Sequence, residues 1–277
     1  MTEKSKTRTR KLEHVIDVDA PIAAVWKAVS DGEEITRWFA PEATVEPREG
    51  GSYWLSFGEG MAGTAIIEVW EPERHLRMLE IRDPGSSLGD ASIVVEYFLE
   101  ELKSGTRLRL VQSGVPEASE WDEYYDNTER GWKMFLVGLR HYLEKHLGQP
   151  RVNVSFMHPV GHAVEEAWEK LIGPDGLAAR GSLATAEVGK RSQLTTAFGQ
   201  DLEVEVLVHE PPYTLSMTID NLQDSLLALD FERMGGRTYL YANLSTFGVP
   251  DDQVAKLEQD WRTWLHRIFP GADAQPA

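Results

Sequence analysis

The stretch Trp121–Leu143, WDEYYDNTERGWKMFLVGLRHYL, decides the fold. Trp121, Tyr124, Tyr125, Thr128, Trp132, Phe135, Leu136, Leu139, Tyr142 and Leu143 recur at steps of three and four, which puts them on one face of a helix of about six turns. Asp126, Arg130, Lys133, Arg140 and Glu144 fall on the other face. So broad an aromatic stripe needs an apolar partner of similar width, and the upstream sequence supplies one. Residues 52–57, 64–70, 76–81, 93–99 and 106–111 are rich in β-branched and aromatic side chains and are separated by Gly, Pro and Asp. They read as consecutive strands of an antiparallel meander. Ahead of them, residues 14–19 read as a strand, and Pro21 opens a helix with Ile22, Val25, Trp26 and Val29 on its inner face. Residues 34–38 form a short second helix, and Gly148 and Pro150 end the long one.

The order then repeats. Glu71-Pro72, Gly105-Thr106-Arg107-Leu108, Val115-Pro116 and Gly131-Trp132 are followed, in the second half, by Glu210-Pro211, Arg237-Thr238-Tyr239-Leu240, Val249-Pro250 and Asp260-Trp261. From the Glu-Pro to the Trp is 61 residues in the first copy and 51 in the second. The second copy carries a strand at 152–156 and a helix at 164–172 with Trp168. Strands follow at 194–198, 202–208, 214–219, 225–231 and 238–244, and then a helix striped by Val254, Leu257, Trp261, Trp264, Leu265 and Ile268. The predicted class is α+β: two tandem domains, each a curved antiparallel sheet wrapped around a long C-terminal helix. The expected boundaries are a disordered basic tail at 1–11, domains at 12–148 and 149–270, and a loose tail at 271–277.

Composition narrows the function. The chain of 277 residues has a net charge of −17, divided as −9 over residues 1–148 and −8 over 149–277. Acidity in both halves argues against nucleic acid and against anionic membrane surfaces as partners. There is no cysteine, which excludes disulfides, thiolate metal sites and a thiol nucleophile. No apolar run is long enough to span a membrane, and Met1–Lys11 has no apolar core, so a cytoplasmic protein is expected.

The first copy resembles a known family. Pro21 with Val25-Trp26, Thr36-Arg37-Trp38-Phe39-Ala40-Pro41, Gly50-Gly51-Ser52-Tyr53-Trp54, Gly63, Glu68-Val69-Trp70-Glu71-Pro72, Gly105-Thr106-Arg107-Leu108 and Gly131-Trp132 with Leu136, Leu139 and Tyr142-Leu143 carry the match. The ordered set is similar to the activators of heat-shock chaperone ATPase, within the START and birch-pollen-allergen-like (SRPBCC) superfamily of helix-grip folds. The resemblance covers about residues 12–147. It implies tandem START-like domains with an internal apolar cavity, a small apolar ligand of lipid or polyketide type, or docking on a chaperone in a stress response. The second copy matches weakly: Gly176-Leu177-Ala178-Ala179-Arg180-Gly181 stands where Trp38-Phe39 would be.

The aromatics are the candidate site. Trp38, Tyr53, Trp54, Trp70, Tyr97, Trp132 and Phe135 would wall an apolar pocket in the first domain, with the Tyr53 or Tyr97 hydroxyl orienting a polar end. The bland alternative is that these rings only fill the core. Glu68 or Glu96 would be the acid or base of a cyclase- or dehydratase-type enzyme if either carboxylate faced the pocket. The leading expectation is non-enzymatic ligand binding, with chaperone docking and then catalysis as alternatives.

Other motifs carry less. Gly58-Glu59-Gly60-Met61-Ala62-Gly63 has dinucleotide-loop spacing, but a strand rather than a helix is expected after it. His158 and His162 have metal spacing, with Pro159 and Gly161 between them and no third ligand, so no metal and no cofactor is expected. Glu117, Glu120, Asp122, Glu123 and Asp126 complement the positive end of the long helix.

Overall fold

The computed structural model describes residues 8–58, 61–81 and 91–270. The chain divides into two compact units, 1–148 and 149–277. The expectations for residues 1–7 and 271–277, and for Glu59 and Gly60, lie outside the described residues.

In the first unit, β1 (Thr9–Val18), α1 (Ile22–Ser30) and α2 (Gly32–Thr36) precede β2 (Glu42–Val45), β3 (Ser52–Ser56), β4 (Ala62–Glu71), β5 (His75–Ile81), β6 (Val94–Glu101) and β7 (Thr106–Pro116). A 3-10 turn at Ser119–Trp121 leads into α3 (Asp122–Lys145). The seven strands pair in the order β1-β7-β6-β5-β4-β3-β2, antiparallel throughout. Side chains alternate across the sheet. Leu12 on β1 stands opposite Gln112, Gln112 opposite Val95, Val95 opposite Met78 and Met78 opposite Ile67. These residues share one face, the inner face on which α3 lies. Register shifts at Arg10/Lys11 and Ile67/Val69 mark bulges, which bend the strands.

The helix is tied along the length of β1. Arg10 reaches Asp122 at 2.6 Å, Tyr125 donates to the Lys11 carbonyl at 3.2 Å, and the Asp19 amide donates to Glu144 at 3.0 Å. The axis of α3 therefore follows the β1/β7 side of the sheet. The turn before β7 shows what Gly105-Thr106-Arg107-Leu108 does. Gly105 has φ +80°, and a Cβ there would sit 2.1 Å from the Val18 carbonyl oxygen. Thr106 donates to the Ala20 carbonyl, Arg107 grips Asp17 with two hydrogen bonds, and Leu108 is fully buried.

The second unit repeats the plan with β8 (Arg151–Pro159), α4 (Val164–Ile172), β9 (Ala178–Arg180), β10 (Arg191–Thr196), β11 (Asp201–Glu210), β12 (Thr214–Ile219), β13 (Ser225–Met234), β14 (Arg237–Phe247) and α5 (Asp251–Ile268). Its order is β8-β14-β13-β12-β11-β10-β9. Both units are therefore helix-grip domains in tandem, and the class is α+β.

Two details differ from the sequence reading. Thr9–Lys11, expected in a loose tail, extends β1, because Arg10 lies over the Tyr125 ring at 4.4 Å and an edge strand needs only backbone pairing to persist. The short strands β2 and β9 went unread, since four and three residues carry too little alternation to detect. From Ala62 the chain runs as β4, the strand expected there.

One buried group gives this unit a pH dependence. His14 points from β1 toward α3, and its Nε2 has no partner among the described residues. Burial holds its pKa below the ordinary 6.5; Glu129 pulls it up and Lys133 pushes it down. The unfolded chain takes the proton first, so this contribution to stability is complete above about pH 6.5 and is lost as pH falls below it. Urea midpoints measured at pH 7 and pH 5 should drop less in His14→Gln than in the wild type. An equal drop in both would show that His14 is not desolvated.

Candidate ligand-binding site

A cavity of ≈ 340 Å³ lies on the concave face of the first unit. It opens where α3, following β1 and β7, leaves the middle of the sheet uncovered. Its floor is Tyr53 and Leu55 of β3, Ala65 of β4, Met78 of β5, and Val95 and Tyr97 of β6. Its walls are Trp132 of α3, Phe39 after α2, and Phe57 from the β3–β4 hairpin. Met61 and Ile81 also line it and are about half exposed, at 48% and 52%, so the cavity reaches the surface there. Glu80 and Thr64 are polar members of the lining.

The wall rings are held from behind. Trp132 Nε1 donates to Gln112 Oε1 at 2.5 Å, and Gln112 Nε2 donates to the Tyr124 hydroxyl at 3.0 Å. Gln112 is 2% exposed, so this is a buried relay between β7 and α3. Trp38 donates to the Ala28 carbonyl at 2.8 Å and stacks on Phe39 at 5.0 Å. α2 is anchored by Glu34, which is buried and accepts from Lys27 at 3.0 Å, from Arg37 at 2.9 Å and from the Tyr142 hydroxyl. The Thr36-Arg37-Trp38-Phe39 motif thus fastens a short helix whose end delivers Phe39 to the cavity.

Tyr53 donates to the Val29 carbonyl at 3.2 Å. Burial, and then the neighbouring Tyr97, push its phenol pKa well above the ordinary value. Burial alone raises that of Tyr97. Both rings therefore stay protonated at any neutral pH.

The seven residues expected at the site divide. Tyr53, Tyr97 and Trp132 line the cavity. Trp38 and Phe135 stand one layer back, with Phe135 packing on Phe39 at 4.6 Å. Trp54 lies on the opposite side of the pleat from Tyr53. Trp70 faces inward but meets Trp26 of α1 at 5.1 Å, outside the lining. The sequence reading missed, among others, Phe39, Leu55, Phe57, Ala65, Met78, Glu80 and Val95. Strand parity alone would have found Leu55 from Tyr53, Val95 from Tyr97 and Glu80 from Met78.

The carboxylates proposed for catalysis are elsewhere. Glu68 and Glu96 both bind Arg77, at 2.8 and 3.1 Å, and Glu96 also meets His75 at 3.1 Å. They form a charge ladder on the outer face, because Glu96 alternates with the inward Tyr97. Neither serves a reaction in the cavity.

In the second unit, Trp261 meets Trp264 at 5.4 Å and Phe198 at 5.8 Å, and all three belong to a single packed core or its margin. A wider cleft of ≈ 740 Å³ lies between α4 and the end of α5, but Glu166, Glu169, Lys170, Asp175 and Arg267 line it. Such charged walls do not suit an apolar ligand. His158 and His162 do not converge: His158 faces the Phe269 carbonyl, while His162 sits between Glu166 and Lys170. Among the described residues no cluster has the make-up of a metal site, and no helix is long and apolar enough to cross a membrane.

A curved sheet gripping a long helix over an apolar cavity defines a helix-grip domain. Residues 19–144 match the family model for activator of Hsp90 ATPase homolog 1-like protein, and the first domain belongs to that family. Among solved structures, an AHSA1-like protein from Rhizobium etli is 30% identical over 53% of this chain and 88% of its own, with a TM-score of 0.42. A protein from Mesorhizobium loti is 22% identical over 48% of this chain and 96% of its own, with a TM-score of 0.44. The di-domain ARO/CYC BexL from the BE-7585A biosynthetic pathway is 15% identical over 96% of this chain and 100% of its own, with a TM-score of 0.43. No curated protein matches the chain.

The Gln112 relay can be tested on its own. Gln112→Leu strands the buried Trp132 N–H, which should cost about 1–3 kcal/mol of stability in urea unfolding. A cost below about 0.5 kcal/mol, the usual range for a surface change, would show that the relay does not hold the wall.

Proposed function

We propose that the first domain binds a small apolar molecule in the cavity between its sheet and α3, without chemical conversion, and that the second domain is structural. The observation that carries this reading is the cavity itself: ≈ 340 Å³, walled by aromatic and aliphatic side chains and open at Met61 and Ile81. That volume lies within the range of pockets that enclose small ligands, about 300–1,000 Å³. A domain of this size gains nothing in stability from leaving such a space, since each unfilled volume forfeits packing contacts. The withdrawal of Glu68 and Glu96 from the site supports binding over acid–base catalysis.

The family match supports a second reading, docking on a chaperone. That role would act from the outer surface and would not depend on the cavity.

Ala65 separates the two. Its Cβ points into the cavity from β4, so Ala65→Trp fills the space, while overpacking costs roughly 1–3 kcal/mol where the side chain has no room. The neutral dye N-phenyl-1-naphthylamine should gain fluorescence with the wild-type chain and lose at least about tenfold in affinity with the variant. Unchanged dye binding by a folded Ala65→Trp chain would place the dye elsewhere and count against the reading.

A further inference from the structure

Tyr97 is 1% exposed, lines the cavity, and makes no hydrogen bond among the described residues. It stands apart from its neighbours in this. The Trp132 N–H has Gln112, the Tyr53 O–H has the Val29 carbonyl, and the Trp38 N–H has the Ala28 carbonyl. A donor that no protein group takes up, on a ring that lines a cavity, marks a place for an acceptor.

The charge of the lining is the second observation. Among the described lining residues there is no Lys, Arg or His, and there is one carboxylate, Glu80. A ligand carboxylate drawn into this space would lose its water and find no cation among the described lining residues in return, which is strongly unfavourable. Size and shape are the third. An engineered cavity of about 150 Å³ takes up benzene, so ≈ 340 Å³ suits about two fused rings. Phe39 stacks nearly parallel to Trp132 at 5.6 Å, while Phe57 stands edge-on to Phe39 at 5.2 Å, and such walls favour flat partners.

We infer that the cavity selects an uncharged, flat ring compound whose acceptor oxygen takes the Tyr97 O–H, and that it rejects carboxylates, fatty acids included. This rests on the ligand-binding reading above and names the chemistry it would recognise. Tyr97 is then the residue that sets specificity, while the apolar walls supply affinity without regard to the acceptor.

Three matched probes separate these contributions in the full chain by calorimetric titration: 2-acetylnaphthalene, 2-ethylnaphthalene and 2-naphthoate. The wild type should bind the ketone about tenfold more tightly than the hydrocarbon, and the carboxylate most weakly. Tyr97→Phe should abolish the preference for the ketone and leave the hydrocarbon within about twofold, so hydrocarbon binding also reports that the variant is folded. Equal binding of ketone and hydrocarbon by the wild type, a ketone preference that survives Tyr97→Phe, or naphthoate binding as tightly as the ketone would each overturn the inference while leaving ligand binding intact. If none of the three probes binds, ligand binding itself fails with it.

Discussion

A single helix cannot cover a seven-stranded sheet. With strands about 4.8 Å apart, seven span about 29 Å, whereas a helix with its side chains is about 10–12 Å across. Everything distinctive in the first domain follows from where that shortfall is placed. Arg10, Lys11 and Asp19 tie α3 to β1. The helix therefore covers the β1/β7/β6 side and leaves the concave face of β3–β5 to other residues. α1 covers part of it, and Trp26 meets Trp70 there. α2, pinned through Glu34 to Lys27, Arg37 and Tyr142, brings Phe39. What none of them reaches is the cavity.

The second domain meets the same constraint and answers it differently. Its short edge strand, β9, falls within the segment that stands where Trp38-Phe39 would be, and it offers only Ala178, Ala179 and Arg180. α5 compensates with two tryptophans on its buried face, and Trp264 donates to the Gly176 carbonyl at 3.3 Å. Trp261 meets Phe198. One architecture thus places a cavity beside α3 in the first copy, while the tryptophans of α5 in the second belong to its core.

Much of this was legible in the sequence. The stripe of α3, the bounds of α4 and of β12, and the repeat all followed from periodicity and turn residues. The site was half legible. Tyr53 and Trp54 cannot both be walls, because successive strand residues face opposite ways; the same rule sets Tyr97 against Glu96 and carries Met78 to Glu80. That rule ends at a bulge. The register shift between Ile67 and Val69 turns Trp70 inward, opposite Leu76, where uninterrupted alternation would have turned it out. Nor does sequence say which of Trp38 and Phe39 reaches the cavity, since both follow the end of a five-residue helix whose orientation depends on Glu34, more than a hundred residues from its partner Tyr142.

The central claim is that one chain holds one hollow interior and one filled one. Native mass spectrometry of the freshly purified full chain, beside its denatured mass and after addition of excess 2-acetylnaphthalene, counts occupants directly. The account requires a single releasable small molecule per chain, either carried through purification or taken up from the added probe. Two equivalents would contradict the filled second domain, and none under either condition would contradict the cavity as a binding site.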